Sequence, residues 1–153
     1  MQKLLSLLIL PVMFVALLSG CEFFFRDHDT TTQPTEDIIK LNEEFTVKFG
    51  QVVVMDAGKI KFHFSSVAED SRCPKSVNCV WEGNAMIIVD GYATDGQSGS
   101  VMLNTHKGDA TRFPSKGNFA GYEVELISLS PYPEDTEPIK QADYVARLIV
   151  RKK

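Results

Sequence analysis

Ile60-Lys61-Phe62-His63-Phe64-Ser65 alternates apolar and polar side chains without a break. A period of two places Ile60, Phe62 and Phe64 on one face and Lys61, His63 and Ser65 on the other. That is the pattern of an antiparallel strand with one side in a core and the other in water. The same period recurs upstream, where Phe45, Val47 and Phe49 alternate with Thr46 and Lys48 and the run stops at Gly50. Between the two lies Gln51 to Met55, a short run holding Val52-Val53-Val54 and closed by Asp56-Ala57-Gly58-Lys59.

Downstream, Ala85 to Ala93 is a longer apolar run with Met86, Ile87, Ile88, Val89 and Tyr92. Asp95-Gly96-Gln97-Ser98-Gly99 carries two residues suited to positive φ, which predicts a hairpin into Ser100–Asn104. His106 to Gly121 is polar and irregular and reads as loop. Tyr122 to Ser130 is a further strand in which Tyr122, Val124 and Leu126 share a face. Its phase then shifts towards Ile127 and Leu129, as a bulge would make it do. Pro131-Tyr132-Pro133 must be a loop, because two prolines cannot donate to a ladder. Ile139 to Asp143 reads as a turn before Tyr144, Ala146, Leu148 and Val150 alternate in the last strand. The expectation is an all-β fold of seven or eight short strands, an antiparallel sandwich or a partly closed barrel.

Between two of these strands sits Asp70-Ser71-Arg72-Cys73-Pro74-Lys75-Ser76-Val77-Asn78-Cys79-Val80-Trp81-Glu82-Gly83, with the only tryptophan and two of the three cysteines. Five residues separate Cys73 from Cys79. A redox dithiol favours a two-residue spacer at a helix N-terminus, and zinc needs two further ligands that are not nearby. A structural disulfide is the expectation. Trp81 is expected to stack on that bridge and close one end of the core, with a half-exposed anchor for a partner as the alternative. Gly83 marks a backbone position needing positive φ or close approach. Asp70 and Arg72 are expected to pair with each other or with Glu82, as a solvated ion pair of little consequence. Arg72, Pro74, Lys75, Val77 and Trp81 make up the candidate binding surface.

The first twenty residues read as a leader rather than as fold. Lys3 is followed by an apolar run from Leu4 to Leu18, interrupted only by Ser6 and Pro11. The run is too short and too poorly flanked to span a bilayer, and it ends in Leu18-Ser19-Gly20-Cys21. That tetrapeptide resembles the lipobox of bacterial lipoproteins. The resemblance implies a diacylglycerol on the Cys21 sulfur, cleavage before Cys21 and acylation (palmitate-type) of the new amino group. Several chains hold stably where one does not. Glu22 is not the aspartate that resembles an inner-membrane retention signal, which favours the outer membrane.

Cleavage removes 20 of the 153 residues and leaves 133, enough for one domain with a core. The expected organisation is residues 1–20 as signal peptide, 21–43 as a lipidated flexible tether and 44–153 as a β domain. The tether is rich in Thr, Gln, Pro and acids, and Phe23-Phe24-Phe25 beside Arg26 is expected either to dip into the membrane interface or to pack on the domain. With Cys21 taken by lipid, Cys73 and Cys79 are left as a pair in an exported, oxidising setting.

The same loop, with Leu129-Ser130-Pro131-Tyr132-Pro133 and the Tyr144 strand, resembles a group of small exported bacterial proteins to which no activity is attached. The resemblance supports the fold alone and brings no catalytic residue.

Losing Lys3 leaves 15 basic against 20 acidic residues, scattered rather than clustered, which argues against nucleic-acid binding. His28, His63 and His106 show no metal-ligand spacing, and no serine lies in a Gly-x-Ser-x-Gly elbow. No catalytic residue, metal or cofactor is expected. The function expected is that of a lipid-anchored extracytoplasmic binding or envelope-structural protein, whose partner is an envelope protein or a small ligand. The alternative is an inhibitor of an extracytoplasmic hydrolase acting through the Cys73–Cys79 loop. An enzyme would require a concave pocket lined by His63, His106 or clustered carboxylates.

Overall fold

The structure is a computed structural model that describes residues 39–153. The expected signal peptide, the lipobox, Cys21, the aromatic triplet and His28 lie outside the described residues. Eight strands form two four-stranded antiparallel sheets that do not close into a barrel. One sheet holds β1 (Glu44–Lys48), β8 (Val145–Lys152), β7 (Tyr122–Ser130) and β6 (Lys116–Phe119), in that order. The other holds β2 (Val52–Met55), β3 (Ile60–Asp70), β4 (Ala85–Ala93) and β5 (Ser98–Asn104). The expected sandwich is what forms.

Alternation decides which side chains enter the space between the sheets. Ile60, Phe62 and Phe64 are buried, as are Val47, Val89, Leu103, Val124, Leu148 and Val150. Ile39 and Leu41, ahead of β1, already pack on this core. β3 runs five residues beyond Ser65, where its alternation ends. Two register shifts, between Phe64 and Ser66 and between Val67 and Glu69, absorb extra residues and let the strand reach Asp70. β7 carries the expected bulge, between Leu126 and Ser128.

β6 was expected to be loop. One of its two inward positions is Gly117, where a Cβ would lie 2.1 Å from a methyl of Val101, so the Val101 side chain takes the place of an apolar side chain on β6. Phe119 then packs edge-on against Phe62, 6.2 Å between ring centres.

The two ends of the sandwich differ. At one end the backbone leading in from Ile39 joins β8, where Asn42 donates to the Val150 carbonyl. The turn at Asp56–Gly58 lies there too, its carboxylate accepting from the Tyr122 hydroxyl and from Lys152. Those bonds hold the Asp56 carboxyl below its usual range and raise the Tyr122 hydroxyl to about 12. At the other end three loops gather: 71–84, 105–115 and 131–144. β3 joins the two ends, and its eleven residues span roughly 30 Å.

Candidate functional site

The 71–84 loop has two limbs of opposite character. In the first, Arg72 is 6% exposed. Its Nε donates to Asp70 Oδ1 at 2.8 Å and its Nη2 to Asp70 Oδ2 at 2.6 Å. Its Nη1 donates to the Leu129 carbonyl and its Nη2 to the Pro131 carbonyl, both at 2.8 Å. The Tyr132 ring lies over the guanidinium at 5.2 Å. Asp70 also accepts from the Tyr144 hydroxyl at 2.8 Å.

This corrects two expectations: the Asp70–Arg72 pair is buried rather than solvated, and Arg72 is no part of an outer binding surface. The reason is long-range. β7 ends at Ser130, so the Leu129 and Pro131 carbonyls need a donor, and the bulged β3 delivers one beneath them. Burial alone would raise the Asp70 carboxyl, but the bonds from Arg72 and Tyr144 outweigh it and hold it below the usual range. Burial, reinforced by the bond to Asp70, pushes the Tyr144 hydroxyl up to about 12.

The loop's turn is fixed at several points. Cys73 and Cys79 form the expected disulfide, with Cα atoms 6.0 Å apart. The backbone N–H groups of Lys75 and Ser76 donate to the Pro133 and Glu134 carbonyls at 3.1 and 3.0 Å. Lys75 Nζ reaches Glu134 at 2.6 Å. Ser71 N donates to the Asn84 carbonyl and Cys73 N to the Glu82 carbonyl, which zips the two limbs together. Gly83 sits between these bonds at φ +76°, and a Cβ there would lie 1.9 Å from the Ser71 carbonyl oxygen. It therefore meets both conditions read from the sequence, positive φ and close approach.

Beneath the loop is a buried amide pair that sequence reading missed. Asn84 Nδ2 donates to Asn104 Oδ1 at 2.8 Å, and Asn84 Oδ1 accepts from the His106 backbone at 3.1 Å. Asn104 Nδ2 in turn donates to the Pro114 carbonyl. Two asparagines at strand ends were the only signal for it.

The second limb faces water. Val80 is fully exposed and Trp81 is 51% exposed. Trp81 does not plug the core, because β3, β4 and β5 already fill that end with Val67, Ala85 and Leu103. Its indole instead packs on the 105–115 loop. The ring lies 5.9 Å from His106 and 6.2 Å from Phe113, which are themselves 5.2 Å apart. Arg112 covers the Phe113 ring at 5.2 Å.

His106 Nδ1 lies 2.7 Å from Glu82 Oε1. The atom is nonetheless buried without a hydrogen-bond partner, so the carboxylate sits off the N–H line and the contact is one of proximity. On the ring's other side a Cβ at Gly108 would come within 2.8 Å of Nε2, so a glycine lets the loop close over the imidazole.

Of the expected surface, Lys75, Val77 and Trp81 are exposed and Pro74 is half-buried. His63 lies elsewhere, on the outer face of the β2–β5 sheet, 3.7 Å from Asp90. Asp95 and Asp109 serve turns, accepting from the backbone of Gln97 and of Thr111 and Arg112 respectively. An open cleft of about 310 Å³ runs between His106 and Lys107 on one side and Ile127 to Leu129 on the other, with Arg72 and Tyr132 in its lining.

Comparison with protein-family models, with curated proteins and with solved structures finds no match for this chain. No helix among the described residues is long and apolar enough to cross a membrane.

Proposed function

We propose that this is a non-catalytic, lipid-anchored binding protein of the bacterial envelope, which meets its partner through the Val80–Trp81 limb. One observation carries the reading: a half-exposed indole and a fully exposed valine stand on a loop braced by a disulfide, a backbone zipper and a buried arginine. Large aromatic side chains held in place before binding lose little entropy when they engage, and tryptophan is among the strongest interface anchors. The loop cluster lies at the end of the sandwich opposite to the backbone that leads in from Ile39.

The test is crosslinking in intact cells followed by recovery of wild type, Trp81→Ala and Val80→Asp. The expected result is loss of a specific crosslinked partner in both variants, with thermal stability close to wild type. An unchanged partner set would sink the proposal. Cys21→Ser separately tests the anchor, and the protein is expected to leave the membrane fraction.

A second reading, inhibition of an extracytoplasmic hydrolase, draws on Val77, which is 43% exposed on the crosslinked turn. Against it, the Lys75 and Ser76 N–H groups are already taken by the 131–134 segment, so this stretch has little free backbone to offer a protease cleft. Potency against one hydrolase class, abolished by Val77→Asp and indifferent to Trp81→Ala, would select this reading over the first.

A further inference from the structure

The cleft beside Trp81 has a chemistry of its own. Its volume of about 310 Å³ sits at the small end of ligand pockets and suits one amino-acid-sized group. One wall is apolar, formed by Ile127, Leu129 and the Tyr132 ring. Arg72 lies in the lining with four of its five N–H groups engaged by Asp70, Leu129 and Pro131. One Nη1–H is therefore unclaimed by the protein among the described residues, on a side chain only 4% exposed. Lys107 stands at the mouth and makes no ion pair among the described residues. The one acid in the lining, Glu82, has its carboxylate 2.7 Å from His106 Nδ1.

A single unused guanidinium N–H, one free ammonium and an apolar wall match one negative charge on an apolar body. They do not match a dianion such as phosphate, which would find too few donors. We infer that this cleft binds the carboxylate of an apolar group, the C-terminal residue of a polypeptide or a free acylated amino acid. The inference rests on the binding-protein reading and names what the site takes. Arg72 supplies the buried donor, Lys107 the long-range attraction, and Ile127 with Tyr132 the apolar contact.

Trp81, the only tryptophan, packs on His106 at the cleft wall and serves as the reporter. The full-length protein in detergent would be titrated with N-acetyl-leucine, with N-acetyl-leucinamide, and with an acetylated pentapeptide ending in leucine with a free or an amidated terminus. Fluorescence and calorimetry give the affinities. The expected result is saturable binding of the acids, at least tenfold weaker binding of the matched amides, and a tenfold or greater loss for the acids in Lys107→Glu. Ser128→Tyr, which fills the cleft from β7, is expected to abolish binding while the fold is retained.

A peptide bound far more tightly than N-acetyl-leucine identifies a polypeptide C-terminus as the source, and equal affinities identify the small molecule. Equal binding of acid and amide, binding untouched by Lys107→Glu and Ser128→Tyr, or no binding of any acid at 10 mM would each overturn the inference. If no acid binds while the Trp81-dependent crosslink is retained, the cleft inference fails and the partner reading stands.

Discussion

Arg72 and Trp81 stand nine residues apart on one loop and occupy each other's expected places. The charged residue is buried at the base and the aromatic one is half in water. In the first limb, burial is set by an electrostatic need: two carbonyls at the end of β7 and the Asp70 carboxylate all require donors, and Arg72 serves the three together. In the second limb, nothing in the core remains unfilled, so Trp81 rests on a loop and keeps half its surface. The comparison teaches that side-chain type decides burial only where the local sheet leaves a vacancy of matching chemistry.

The sharpest way to break the contrast is to remove its buried half. Arg72→Met keeps the volume but leaves Asp70 without its cationic partner and the two carbonyls without donors. Deleting one member of a buried pair costs about 3–5 kcal/mol. The expected outcome in urea unfolding is a lower midpoint with an unchanged slope, and a loss below 1 kcal/mol would show that the network is dispensable. The carboxyl side has a pH signature. Asp70 sits below its unfolded value, so its contribution is full above the ordinary carboxylate range and is lost as pH falls through the lowered folded value. In Arg72→Met the acid limb of the stability profile is expected to flatten.

Next in size is the bridge that joins the limbs. Replacing Cys73 and Cys79 together by serine opens a short loop, and the chain-entropy estimate gives about 2 kcal/mol. Because Lys75 and Ser76 remain tied to the 133–134 backbone, their amides are expected to keep their protection in hydrogen exchange, while the amide at position 73, which donates to the Glu82 carbonyl of the second limb, loses its own. Equal loss on both sides would mean that the limbs act as one unit.

Tyr144→Phe is smaller still, removing one bond to a carboxylate at a cost of about 1–2 kcal/mol near neutral pH. Here the sign runs towards alkali. A hydroxyl raised from 10.0 to about 12 contributes stability that is complete below pH 10 and disappears as pH rises towards 12. Wild type is therefore expected to lose about 1 kcal/mol from Tyr144 between pH 8 and pH 11, and Tyr144→Phe to lose correspondingly less. The Tyr122–Asp56 bond at the opposite end supplies a similar alkaline loss that this variant leaves in place.

These magnitudes also explain what could be read in advance. β1, the first half of β3 and β8 were legible because each buries every second residue. β3 beyond Ser65 was not, since its two bulges erase the period while the strand continues. β6 was not, since one of its two inward positions is a glycine whose place is filled by the Val101 side chain from the other sheet. At the site, the disulfide followed from spacing and Gly83 from its place after the tryptophan. The inversion of Arg72 and Trp81 escaped because the carbonyls that draw Arg72 inward are 57 and 59 residues away. Only the strand end and the prolines at 131 and 133 hinted that acceptors there would go unpaired.

The smallest expected effect falls on the residue that looks most conspicuous in the sequence. Trp81→Ala removes a large aromatic side chain, which in a core costs about 3–5 kcal/mol. Trp81 is instead half exposed, its contacts are with His106 and Phe113 on a loop, and no hydrogen bond of its indole is involved in the packing described. The loss expected in urea unfolding is below about 1 kcal/mol, in line with surface substitutions away from the core. His106 would lose one neighbour and keep Phe113, so the 105–115 loop should stay in place. A penalty of core size would return Trp81 to a structural role and remove the ground for a binding limb. A small one, alongside the large loss in Arg72→Met, means that the loop's stability and its exposed aromatic surface reside in different limbs, so that the second can change partners without unfolding the first.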